Sequence, residues 1–149
     1  MKKLLLLTAL LAWAPFTAAE GGLNLASYDG KVVIVDFWAS WCVPCRRSFP
    51  WMNEMHDKYT EDGLVIIAVN LDHSSGDAAR FLEKYPAKFK IVYDPEAALA
   101  REFDVEVMPS SIIIGRNGEM IDRHAGFKVK RQDEYEAIIR AALSLEKEQ

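Results

Sequence analysis

Val32-Val33-Ile34-Val35-Asp36-Phe37-Trp38-Ala39-Ser40-Trp41-Cys42-Val43-Pro44-Cys45-Arg46-Arg47 is the stretch that decides the fold. It contains both cysteines of the chain, separated by two intervening residues. The β-branched run Val32 to Trp38 has the pattern of a strand buried on both faces. Beyond the cysteines, Phe49, Met52, Met55 and Tyr59 recur at three- and four-residue spacing, predicting a helix from Phe49 to Tyr59 with one apolar stripe. Pro50 lies inside that helix and is expected to kink it. A strand that delivers a C-x-x-C pair to the start of a helix is the layout of a redox-active dithiol.

The chemistry expected of that layout follows from the helix end. The first turn has backbone N–H groups without intrahelical partners, and the aligned peptide dipoles leave partial positive charge there. A thiol at that point is better stabilised as thiolate, below the ordinary pKa of about 8.5. Cys42, at the helix entrance and open to a substrate, is the candidate nucleophile, and the more shielded Cys45 is the natural resolving thiol. A purely structural disulfide fits poorly, because closing so short a loop contributes little stability. A closed zinc site needs about four ligands; there is no second cysteine pair, and His56, His73 and His124 lack ligand spacing. Redox exchange is therefore favoured over a staple or a metal site.

Outward from this stretch, Leu64 to Val69 predicts a second buried strand, so that strand, helix and parallel strand form a right-handed βαβ unit. Ser74 to Asp77 offers capping residues for a helix from Asp77 to Tyr85, and Phe89 to Tyr93 reads as a short strand. Asp94-Pro95 reads as N-cap and first residue of a helix ending near Phe103. Ser111 to Ile114 and Glu119 to His124 predict antiparallel strands joined by a two-residue Asn117-Gly118 turn. Tyr135, Ile138, Ile139 and Ala142 mark a closing helix from Gln132 to Leu145.

The N-terminus has Lys2 and Lys3, an apolar run from Leu4 to Trp13, and small residues Thr17 and Ala19, which predicts a secretory signal peptide, residues 1–19, cleaved before Glu20. The apolar run is short for a membrane span of about 20 residues. Loss of the two lysines takes Lys+Arg from 18 to 16 against 22 acidic residues, a net charge of about −6. That disfavours nucleic acid as a partner, since phosphate binding needs a basic footprint.

Asp36 to Cys45 resembles the active-site signature of thioredoxins. The chain from about Leu23 to Leu143 resembles the exported TlpA/ResA-like branch of that superfamily, on the strength of the signal peptide and a strand-helix segment before Val107-Met108-Pro109. The resemblance implies an α/β thioredoxin-like domain over residues 20–149, with a central mixed sheet, helices on both faces and an extra strand-helix insert around 89–103. It implies a thiol-disulfide oxidoreductase that reduces protein disulfides, with Cys42 attacking, Cys45 resolving, and a disulfide between them in the oxidised state. Pro109 matches the family's cis-proline, and the backbone of Met108 would pair with an extended substrate segment. Trp41, Pro44, Met108 and Gly126 would line the substrate surface.

Asp36 matches the buried acid of thioredoxins, exchanging a proton with Cys45 through water; the competing reading is a strand-edge Asp facing water. Relatives devoted to cytochrome c maturation commonly carry Glu where this chain has Ser48, which weakens that specific assignment. The resemblance also implies no cofactor, a monomer, a periplasmic location and a membrane reductase as electron donor. The alternatives are a metal- or haem-handling chaperone using Cys42 and Cys45 as soft ligands, and a thiol peroxidase.

Overall fold

The computed structural model describes residues 22–144. The predicted signal peptide and the last five residues lie outside them. β1 (Val32–Trp38) is buried along its whole length, as an apolar run of this kind requires. It pairs in parallel with β2 (Leu64–Asn70) on one side and antiparallel with β4 (Ser110–Ile114) on the other. β3 (Lys90–Tyr93) continues in parallel beyond β2, and β5 (Met120–Ala125) is antiparallel to β4. The sheet is therefore mixed, in the order β3-β2-β1-β4-β5, with β1 at its centre.

Alternation along β1 divides the core in two. Val32, Ile34 and Trp38 join a cluster with residues of α1 (Cys45–Tyr59), α2 (Ser75–Lys84) and α4 (Gln132–Ser144). Val33, Val35 and Phe37 join a second cluster with Leu99 and Ala100 of α3 (Ala98–Glu102), closed by Leu25 and Tyr28 from a short 3-10 turn. Helical elements thus cover both faces, and β3 with α3 forms the expected extra strand-helix segment.

Local chemistry moved several predicted boundaries. α1 starts at Cys45 rather than Phe49, because the N–H groups of Arg46, Arg47 and Ser48 already donate to the carbonyls of Val43 and Pro44. Pro50 sits on the exposed side of α1, and the helix continues through it to Tyr59. α2 begins at Ser75, and Ser74 occupies its N-cap without a side-chain capping bond.

α3 does not start at Pro95. Ala97 adopts a left-handed conformation, φ 53°, and the Asp94 carboxylate reaches past it to accept from the N–H groups of Ala98 and Ala100 at 2.7 and 3.0 Å. The β4–β5 loop is also longer than the predicted two residues. Gly118 N–H donates to Gly115 O, making Arg116 and Asn117 the central pair of the turn, with Gly118 at φ 80° beyond it. The Arg116 guanidinium holds this turn by donating to the carbonyls of Gly30, Asp62 and Leu143.

Candidate active site

The C-terminal end of β1 carries the chain over the sheet edge through Ala39, Ser40 and Trp41 to Cys42. Pro44 is the N-cap of α1 and Cys45 its first residue. Cys42 and Cys45 form a disulfide, with Cα atoms 5.3 Å apart. Cys42 thus lies just before the helix rather than within its first turn. Cys45 is sealed and Cys42 is 4% exposed, so the expectation of an open Cys42 is corrected to that of a residue almost wholly buried in the oxidised state. Its neighbours Trp41 and Val43 take the exposure instead, Trp41 to 66%.

This loop is anchored by a residue that sequence reasoning passed over. The Asp72 carboxylate, buried just past the end of β2, accepts the Ser40 backbone N–H at 2.9 and 3.2 Å and the Ser40 hydroxyl at 2.9 Å. Asn70 orients that carboxylate: its side-chain amide donates to Asp72 at 2.8 Å, and the Asp72 N–H donates back to the Asn70 side-chain oxygen Oδ1 at 3.2 Å. The one local signal was a polar Asn-x-Asp directly after an apolar strand.

Asp36 is on the face of β1 that carries Ile34 and Trp38, the face that packs with both cysteines. It is 1% exposed, which rules out the water-facing alternative. Its cross-strand partner in register is Ser111, whose hydroxyl donates to Asp36 Oδ1 at 2.5 Å. Oδ2 has no partner among the described residues. Burial pushes the carboxyl from the ordinary 3.8 up to about 7, against the downward pull of the Ser111 hydrogen bond. From sequence alone Ser111 is only a strand residue; its role depends on register with a strand far away in sequence.

One strand further out, His124 pairs in register with Ser111, its ring stacked on Tyr135 with centroids 4.4 Å apart. Burial holds its pKa below the usual 6.5, while nearby Asp122 pulls the other way.

On the facing loop the Met108–Pro109 peptide bond is cis and Pro109 is buried. The Pro109 carbonyl accepts the Gly126 N–H at 2.7 Å. Gly126 has φ 76°, a left-handed conformation that favours glycine. Met108 is half-buried and packs against the cluster that contains Cys42 and Cys45. Its backbone N–H and C=O make no hydrogen bond among the described residues. The structure therefore gathers Cys42, Cys45, Asp36 and Met108 around one side of the sheet, ties Pro109 to Gly126, and leaves Trp41 and half-buried Pro44 on the rim of the same loop. Ser48 is buried and its hydroxyl donates to the Cys45 carbonyl at 3.1 Å.

Comparison with known proteins agrees with this geometry. A family model described as Redoxin matches residues 16–139. The Thiol-disulfide oxidoreductase ResA of Bacillus thuringiensis subsp. konkukian is 33% identical over 114 residues, covering 76% of this chain and 66% of that protein. The chain thus spans just under two thirds of the length of that relative. A crystal structure from Chlorobium tepidum, provisionally named as the Thiol:disulfide interchange protein DsbE, is 47% identical with a TM-score of 0.78, covering 80% of this chain and 84% of that one. The MTB dsbF structure, in mixed oxidized and reduced forms, is 25% identical with a TM-score of 0.69, covering 78% and 84%.

Proposed function

The chain belongs to the Redoxin family, on the ResA-like side of the thioredoxin superfamily, and from that premise we propose that it is an exported thiol-disulfide oxidoreductase that reduces protein disulfides. The observation that carries this reading is the pairing of a barely accessible Cys42 with a sealed Cys45, over a buried carboxyl poised near neutrality.

In the reduced protein the Cys42 thiolate attacks a substrate disulfide, forms a mixed disulfide and expels one substrate thiolate, which takes a proton from water. The N-terminal end of α1 favours the ionised sulfur. Cys45 then gives its proton, through water, to Asp36 and attacks the Cys42 sulfur. That step closes the Cys42–Cys45 disulfide, releases the second substrate thiolate, which also takes a proton from water, and completes the transfer of two electrons. A carboxyl with a pKa of about 7 can both accept that proton and return it when the disulfide is reduced again. The unpaired backbone of Met108 offers a strand edge to an extended substrate, and Trp41 and Met108 offer apolar contact.

The Trp-Cys-x-Pro-Cys context with Asp36 supports a reductant rather than an oxidant. Export through a signal peptide at 1–19 places the domain, residues 20–149, in the periplasm as a monomer, with a membrane reductase as electron donor. The test is reduction of an insulin-like disulfide by the mature chain, supplied with a dithiol. Cys45→Ser is expected to trap a mixed disulfide through Cys42, and the dithiol potential is expected nearer −270 mV than about −120 mV. A correctly folded chain that neither turns over nor forms the trapped species removes the reading.

A further inference from the structure

Beside the dithiol, on the side formed by α2, lies a cleft of about 270 Å³ that the mechanism above does not use. One wall is Ser40 of the active-site loop together with Arg46 in the first turn of α1. The other is one face of α2, where Asp77, Arg80 and Lys84 succeed one another at helical spacing, closed by Tyr85 at the C-cap. Three of the four charged residues lining it are cations. Asp77 is spent on an ion pair with Arg80 within the helix. Arg46 and Lys84 make no ion pair among the described residues. The cleft is therefore a positive site in a chain whose formal net charge is −4.

Position gives the cleft its meaning. Arg46 directly follows Cys45, and Ser40 precedes Cys42 by two residues. A polypeptide whose disulfide lies over Cys42 extends about 3.3 Å per residue, so residues a few places from its cysteine reach the cleft. The volume suits one or two side chains rather than a folded surface. An acidic substrate is repelled by the chain as a whole and attracted here, which turns the cleft into an orienting device.

We propose that the cleft between the active-site loop and α2 is a subsite for an acidic flank of the disulfide substrate, held by Arg46 and Lys84. This rests on the oxidoreductase reading, and it adds a preference that the dithiol alone does not have.

The test uses three disulfide peptides of equal length with acidic, neutral or basic residues flanking the cysteine. Their reduction by the dithiol form of the full chain is followed at low and high salt. The acidic peptide is expected to react about tenfold faster than the basic one at low salt, with the gap closing as salt rises. Lys84→Glu, and separately Arg46→Glu, should abolish or invert that order. In parallel, a cysteine-free acidic peptide added to the oxidised chain should shift the amide resonances of Arg46 and Lys84. Equal rates for acidic and basic peptides in a chain that turns over, or no shift with the cysteine-free peptide, would overturn the subsite. Failure to reduce any of the three while the acidic peptide still shifts the cleft resonances would sustain the cleft as an acidic-peptide site and remove the oxidoreductase reading instead.

Discussion

The Asp36 carboxyl and the Ser111 hydroxyl stand in register across β1 and β4, joined by a 2.5 Å hydrogen bond. Ser111 thereby sets the acidity of the group beneath the dithiol. Burial raises Asp36 and the hydroxyl lowers it, with the balance at about 7. Ser111→Ala removes the one downward influence among the described residues and raises the pH to which Asp36 stays protonated. Its titration, read by infrared absorption of the carboxyl, should move above the parent value. The pH profile of ring closure by Cys45 should move in the alkaline direction with it. An unmoved midpoint would show that Ser111 is only a packing residue.

Asp36 also ties stability to pH. Its pKa in the folded chain, about 7, lies above the ordinary 3.8, so the folded state binds the extra proton between those values. The sign follows: its contribution is most favourable below 3.8 and is lost as pH rises through about 7. The gap corresponds to on the order of 4 kcal/mol. Asp36→Asn should therefore make the oxidised chain more stable than the parent by up to that amount at pH 8.5, with the advantage shrinking towards pH 4. Denaturant unfolding at the two pH values measures it. The same variant should slow ring closure more than the first attack on substrate.

What the sequence disclosed and what it hid divide along chain separation. β1 was legible because seven consecutive residues share one physical requirement, burial, and Asp36 inherited its burial from apolar neighbours on both sides. The dithiol was legible because its chemistry depends on a spacing of three residues and on the helix that follows. Asp72 and Ser111 were not, since each acquires its role from a partner 32 or 75 positions away, brought close by strand register. Local signals also misled where a distant or reaching side chain intervened. Asp94 caps α3 across a left-handed Ala97, and Arg116 fixes the β4–β5 turn by bonding to three carbonyls from elsewhere in the chain. The narrow exposure of Cys42 has the same origin, because the loop that shields it is hung from Asp72.

Asp72 therefore has a testable weight. In Asp72→Ala the Ser40 N–H, the Ser40 hydroxyl and the buried Asn70 amide all lose their acceptor. Hydrogen bonds to a charged group contribute about 1.5–3 kcal/mol each, less than additively within one network. The expected loss is about 3 kcal/mol in urea unfolding of the oxidised chain, with Asp72→Asn recovering part of it. Formation of the mixed disulfide should slow as well, because the loop that aims Cys42 is no longer fixed. A loss below about 0.5 kcal/mol, the range of ordinary surface substitutions, would mean that the loop is held by other contacts.

Trp41 supplies the opposite case, a side chain that does little for the fold and is offered to the substrate. At 66% exposure it has little burial to lose, so Trp41→Ala should leave stability within about 0.5 kcal/mol. A substrate chain lying over Cys42 would cover part of the indole. If it covers roughly 60 Å² of apolar area at about 25 cal/mol per Å², the contact is worth about 1.5 kcal/mol, or roughly tenfold in affinity. The contact is made before and during reaction alike, so the loss should appear as a higher KM for a peptide disulfide, with kcat little changed. A small disulfide such as oxidised dithiothreitol does not reach the indole, so its exchange rate should hardly move. An equal loss on both substrates would instead show that Trp41 acts on the reactivity of the Cys42 sulfur, and not on the chain that docks above it.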